Sequence, residues 1–220
     1  MLFLTPTATV AVVAILGVGA VQPTLPALTA QQTEQMGTAP AALARYPTEA
    51  EIADLRQELE QKIPQLLESG FYTDLRPPEE QQQRAEFVAA WMAVDSAMAQ
   101  GRSETIAPFL GEWGAIAESL AIFPTGNPGQ VCIIESYLGG SDFYLGQVIN
   151  GQIYTDIHQV LVLEGDFLAS FFVYEDEANL YAYSHPWTLV HPTASSRLTE
   201  QYPEVITQFQ AAGCLTQGPD

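Results

Sequence analysis

Between Val131 and Tyr183, apolar and polar residues alternate in short runs: VCIIESY, DFYLGQV, QIYTDI, QVLVLE, FLASFFVY and NLYAY. The breaks fall at Gly139-Gly140, Asn150-Gly151, Gly165-Asp166 and the acidic tip Glu175-Asp176-Glu177. Period-two alternation bounded by turn residues predicts antiparallel strands. Asn-Gly between two such runs predicts a hairpin, because both central residues of a type I′ turn need positive φ. Val160 to Leu163 and Phe171 to Tyr174 are apolar at successive positions. Both faces of those strands must therefore be covered, one by the opposite wall of the sheet and the other by a second layer. Leu161, Leu163, Phe172 and Tyr174 are all expected out of water.

Upstream of the strands the period changes to that of a helix. Thr48 with Glu51 three residues on has the form of a capping box, and Ile52, Leu55, Leu59, Ile63, Leu66 and Leu67 share one helical face. Pro64 predicts a kink or a break in this helix, and Gly70 its end. A second helix begins near Pro78, with Glu79 and Glu80 complementing its N-terminal dipole. Phe87, Trp91, Val94 and Met98 form its stripe and Gly101 stops it. The two read as an antiparallel pair, and they are the nearest cover for the second face of the sheet. Beyond the strands, the prolines of HPWTLVHP keep that loop out of a central strand. Pro203, Val205, Ile206, Phe209 and Gly213 define a short terminal helix just before Cys214.

Residues 1–30 carry no charged side chain, and Ala8 to Val21 is apolar but for Thr9. This segment reads as a signal peptide or an uncleaved N-terminal anchor, although no Lys or Arg precedes its apolar run. Residues 31–46, rich in Gln, Thr, Ala and Pro, read as a linker. A helical region follows at 47–101, then an antiparallel β-meander domain with a C-terminal helix at 102–220. The fold class is α+β, with the helical pair packed on a meander sheet or small barrel of six or seven strands. The expected location is exported, whether periplasmic, lumenal or extracellular, with membrane contact only through an uncleaved N-terminal segment.

Charge narrows the partners. The 220 residues include 26 acidic and 7 basic side chains, a formal net charge of −19. Such a surface repels phosphate backbones, so nucleic acid is not an expected partner. A cation or a basic protein patch suits it better. The chain has 2 cysteines, Cys132 and Cys214. In an exported chain they read as a disulfide between the first strong strand and the C-terminal tail; in a reducing compartment they are two buried thiols.

Residues Phe109 to Ala117, F-x-G-x-W-x-x-I-A, resemble the opening motif of the lipocalins and the wider calycin group. The resemblance implies that Gly111 and Trp113 start the first strand of a barrel and that Trp113 plugs its floor. A meander, a helix after the last strand and a disulfide to the C-terminal tail run parallel to that family. The interval from Trp113 to Tyr183 is short for eight full-length strands, and two helices precede the motif. The many Gln, few Lys and acidic exported domain also resemble bacterial envelope proteins.

Signals for chemistry are sparse. There is no H-E-x-x-H, EF-hand loop, Gly-rich phosphate loop, dinucleotide fingerprint or Cys-x-x-Cys, so neither metal nor cofactor is expected. His185 and His191 share a loop and read as solvated histidines before they read as ligands. Glu135, Asp156 and Glu164 are acids placed to face one another across strands. His158 beside Asp156 is the remaining constellation for an enzyme. The leading expectation is a non-enzymatic binding module for a small apolar or amphipathic ligand, lined by Trp113, Tyr144, Tyr154, His158 and Phe172. The alternative is an accessory subunit that binds a basic partner in a periplasmic or lumenal complex; a hydrolase-type enzyme comes third. A mostly apolar cavity of roughly 300 Å³ or more favours the binding module, and a core filled by side chains counts against it.

Overall fold

The first helix is set by its cap. Thr48 Oγ1 accepts a hydrogen bond from the Glu51 amide at 3.3 Å while Glu51 Oε2 accepts from the Thr48 amide at 2.7 Å, the reciprocal arrangement of a capping box. Arg45 adds a bidentate pair to the Glu51 carboxylate at 2.7 and 2.8 Å. These residues open a computed structural model that describes residues 45–70, 72–98 and 105–217. The N-terminal apolar segment and nearly all of the linker fall outside the described residues. Among the described residues no helix is long and apolar enough to cross a membrane.

Helix α1 (Glu49–Glu68) runs through Pro64 without the break that proline predicted. Pro64 and Glu60 are both exposed, so the carbonyl that loses its helical partner there can be met by water. Helix α2 (Pro78–Met98) follows, then a 3-10 turn at Ala107–Phe109. The buried carboxylate of Asp95 caps that turn, with Oδ2 accepting from Thr105 Oγ1 at 2.6 Å and from the amides of Ile106 and Ala107 at 2.9 and 3.1 Å.

Eight strands then form a closed antiparallel barrel in simple meander order: β1 (Gly111–Gly114), β2 (Glu118–Pro124), β3 (Gln130–Tyr137), β4 (Gly140–Ile149), β5 (Gln152–Thr155), β6 (Val160–Glu164), β7 (Phe167–Tyr174) and β8 (Glu177–Trp187), with β8 pairing back to β1. This corrects the expected six or seven strands. All six runs from Val131 onward are strands; the other two are GEWG and ESLAIFP, which pair with each other, and ESLAIFP pairs along its whole length with β3. Eight fit because β1 and β5 have only 4 residues each. Asn150 and Gly151 both have positive φ, 52° and 76°, as the hairpin reading required. Glu175 and Asp176 make a similar turn at 50° and 65° without a glycine.

The alternation sorts into three packed regions. Inside the barrel, Leu120, Ile122, Val131, Ile133, Val148, Ile153, Leu161 and Leu168 form one cluster with Trp113, Tyr144 and Tyr183. Outside it, α1 lays Ile52, Leu55 and Leu59 on Val160, Val162, Phe167, Ala169 and Phe171, the second layer that the two-faced strands demanded. Helix α2 lies elsewhere than on that face: Trp91 joins the interior cluster with Phe109 and Leu110, where the chain enters β1. The opposite wall is covered by α3 (Ser196–Gln201) and α4 (Pro203–Ala211), whose Leu198, Val205 and Phe209 pack on Phe123, Cys132 and Ile134. Tyr174 departs from expectation. It is 58% exposed, because it stands at the tip of the β7–β8 hairpin, beyond the reach of α1.

Cys132 and Cys214 form a disulfide across 82 positions, with Cα atoms 6.0 Å apart. It ties β3 to the tail after α4, and the Leu215 amide donates to Pro124 O at 2.8 Å beside it. A disulfide is compatible with an oxidising, exported location.

Candidate functional site

In a meander barrel, alternate turns fall at the same end. The turns β1–β2, β3–β4, β5–β6 and β7–β8 surround one end, the mouth; α2 and the 3-10 turn close the other, the floor. Each end carries a distinct chemistry.

At the floor a cleft of about 320 Å³ opens between α2, the β6–β7 turn and the end of β8, and its walls include Val88, Met92, Trp113 and Leu163. Trp113 Nε1 donates to Phe109 O at 2.7 Å, which fixes the indole as a wall. The Arg84 guanidinium lies 5.6 Å over its ring, a cation–π distance. Arg84 Nη2 donates to the carbonyls of Pro108 and Leu110 at 3.2 and 3.1 Å, while Nε is buried without a partner. Among the described residues no carboxylate pairs with Arg84. Burial holds its pKa down at about 10, and the neighbouring Arg76 adds like-charge repulsion. Arg76 is itself neutralised by Asp74, at 2.7 Å. Gly111 is required here: its φ is +135°, and a Cβ would meet Pro186, the Trp187 carbonyl and Arg84 Nε at 3.0 to 3.1 Å.

At the mouth the interior turns polar. Glu135 is in phase with the inward Val131 and Ile133 on β3, and its cross-strand neighbours are Leu120 and Asp142. Its carboxylate accepts from Tyr144 Oη at 3.4 Å, and the carboxylate of Glu118 accepts from Tyr183 Oη at 3.4 Å. Tyr144 Oη also donates to Gln159 Oε1 at 3.3 Å. Burial pushes the Glu135 carboxyl up to about 7, with Glu118 and Asp142 adding repulsion; burial raises Glu118 as well. The same surroundings drive the Tyr144 and Tyr183 hydroxyls well above the usual phenol range. Glu118, Glu135, Asp142, Gln159, Phe172 and Tyr181 are each half-buried, so water enters this end. Below them lie the packed side chains of the cluster already described.

The structure divides the expected lining residues. Tyr144 and Phe172 are on the inner face near the mouth, and Trp113 is inward at the floor. Tyr154 lies on the outer face of β5, edge to the Tyr46 ring at 5.5 Å, and His158 meets that same ring at 4.8 Å. Tyr46 Oη in turn donates to Thr155 O at 2.5 Å. The three acids expected to face one another do not. Glu164 is outside, 3.6 Å from Arg56, and exposed Asp156 accepts from the Leu145 amide at 3.1 Å. Glu135 instead shares the mouth with Glu118 and Asp142. His185 contacts Tyr72 O at 2.6 Å, and His191 Nδ1 accepts from the Thr193 amide at 3.2 Å. Among the described residues no three His, Cys, Asp or Glu side chains are placed to hold a metal ion. Glu118, Asp142, Tyr181, Tyr183 and Arg84 were missed as site residues. Extending the inward phase of β3 across to β2 and β4 finds the two acids, whereas Arg84 gave no signal.

Fold and site together define a closed eight-stranded antiparallel barrel, consistent with a calycin-like barrel. No protein-family model matches the chain, and neither a curated protein nor a solved structure matches it.

Proposed function

We propose that the protein is an exported, non-enzymatic binding module for a small amphipathic ligand, and that the ligand occupies the floor cleft. The observation that carries this reading is a half-buried guanidinium, paired with no carboxylate among the described residues, in a cleft of about 320 Å³ walled by Trp113, Leu163, Val88 and Met92, with Asp166 also on its lining. Burying a charge without a partner is costly, and an arginine in that position favours a planar anion that takes two of its donors. The apolar walls then accept the ligand's hydrocarbon part. The ligand class is a small carboxylate, or similar oxyanion, with an apolar body.

Titration with hexanoate, followed by tryptophan fluorescence and calorimetry, tests this. Hexanoate is expected to bind and to change the emission, while hexanol binds about tenfold more weakly or less, matching the loss of one charge-assisted hydrogen bond. Arg84→Gln, checked for cooperative unfolding, should remove the difference between the two probes. Equal binding of hexanol and hexanoate, or full hexanoate affinity in Arg84→Gln, overturns the reading.

A further inference from the structure

The polar mouth plays no part in the floor cleft, and its composition is unusual for a barrel interior. Three carboxylates, Glu118, Glu135 and Asp142, approach from β2, β3 and β4, and the charges acting on Glu135 are those of the other two. The hydrogen bonds that reach Glu135 and Glu118 come from Tyr144 and Tyr183 and are long, at 3.4 Å. Arg197, on α3, directs its donors to the carbonyls of Tyr137 and Gly140 on the outside of the β3–β4 hairpin. Among the described residues the acids therefore have no basic partner within the barrel. Apposed carboxylates of this kind either share a proton or attract a cation.

Two further features point to a ligand. Ser170 is only 2% exposed and sits on the inner face of β7, between Leu161 on β6 and Tyr181 on β8, yet its hydroxyl has no hydrogen-bond partner. Buried hydroxyls are satisfied almost without exception. The rim, moreover, is apolar: Ile116 on the β1–β2 turn is 67% exposed, Leu138 on the β3–β4 turn 91%, and Tyr174 beside the β7–β8 turn stands out as noted. Three turns of the same end each raise a large apolar side chain around the three acids.

We propose that the mouth is a second binding site, independent of the floor cleft, that takes an amphipathic organic cation. An ammonium head sits among Glu135, Glu118 and Asp142, above the hydroxyls of Tyr144 and Tyr183 and beside the half-buried ring of Tyr181, and the attached apolar group lies over Ile116, Leu138 and Tyr174. Tyrosine rings and carboxylates together suit an ammonium group, through cation–π attraction and charge-assisted hydrogen bonds. A bare metal ion does not fit, because the acids are not gathered as ligands around one point.

Calorimetric titration with hexylammonium, with hexanol and Ca²⁺ as comparison probes, tests the proposal on the intact disulfide-bonded protein. Hexylammonium is expected to bind near pH 8 and to weaken progressively toward pH 5, because Glu135 takes up a proton in that interval; Glu118, Asp142, Tyr137, Tyr144, Tyr181 and Tyr183 are the other titratable groups that face it. Glu135→Gln should weaken hexylammonium by about tenfold or more and flatten the pH dependence, and Glu118→Gln should act in the same direction. Neither change should alter hexanoate binding at the floor. Hexanol matching hexylammonium, Ca²⁺ competing with it, or both Gln variants binding like the wild type would overturn the proposal.

Discussion

Glu135→Gln should make the protein more stable at neutral pH, and by an amount that follows from its surroundings. The Glu135 carboxyl is raised from 4.5 to about 7, first by burial and then by Glu118 and Asp142. Between those values the folded chain holds a proton that the unfolded chain releases, so stability falls as pH rises through the window and levels off above about 7. The full displacement corresponds to about 3 kcal/mol. Because Glu135 is half-buried at an end that water reaches, about 2 kcal/mol is expected. Gln keeps the shape and the contact with Tyr144 but does not titrate, so the variant should lose this slope and exceed the wild type at pH 8 by that amount. The opposite sign holds lower down. Glu51 and Asp74 are both lowered to about 2, chiefly by hydrogen bonds from Arg45 and Arg76, and the stability they provide is lost as pH falls below about 4. The two windows do not overlap, but burial raises Glu118 and Asp156 as well, so it is the difference between wild type and Gln variant, in urea unfolding followed by far-UV circular dichroism from about pH 4.5 to 8.5, that isolates Glu135. A wild type that is flat across this range, or a Gln variant parallel to it, refutes the reasoning.

Two other changes probe what holds the barrel. Replacing Cys132 and Cys214 together by Ser opens a loop of 82 positions and should lower stability by about 4.5 kcal/mol on the chain-entropy view; a midpoint in urea unchanged from that of the oxidised wild type counts against a structural bridge. Leu59→Ala empties a fully buried position between α1 and the β6–β8 wall, with an expected loss of about 3 kcal/mol. A loss under about 0.5 kcal/mol, typical of surface sites, would mean that α1 does not cover that wall.

The strands were readable because each buries an inner face, and a period of two survives in any register that keeps that face inside. What the pattern did not carry was closure. Closure depends on β1 meeting β8, a contact between GEWG and the end of a strand interrupted at His185, which has φ of 50°, and neither segment shows a long alternating run. The covering helices were half legible. The second apolar face of VLVLE and FLASFFVY required a layer, and α1 supplies it; that α2 turns instead to the floor follows from Trp91 meeting Phe109 and Leu110, partners with no local signature. Among the site residues, Trp113 and Tyr144 were visible as aromatics in strand phase. Tyr154 lies on the outer face of β5, and His158 belongs to the turn that follows it, with φ of 67°. Arg84 stayed hidden because its meaning lies in a missing counter-ion, which only the fold reveals.

Where the barrel carries its charges follows from what covers it. Helix α1 takes the β6–β8 wall, α3 and α4 take the β2–β4 wall, and α2 with the 3-10 turn takes the floor. Among the described residues no helix closes the mouth. A carboxylate inside a small barrel is tolerable only where water or a counter-charge reaches it, so inward positions near the mouth are the ones able to hold Glu118, Glu135 and Asp142. Tyr144 and Tyr183 grade the transition, their rings in the apolar cluster and their hydroxyls toward the acids. The floor reverses the sign with Arg84 at its center. A ligand bearing the wrong charge at either end meets a like charge with no counter-ion beside it, so the two ends select by repulsion as much as by attraction. Exchange of the charges is the demanding form of this argument: Glu135→Lys should abolish binding of hexylammonium at the mouth and leave hexanoate at the floor unchanged, and equal loss of both would show that the ends are not separate.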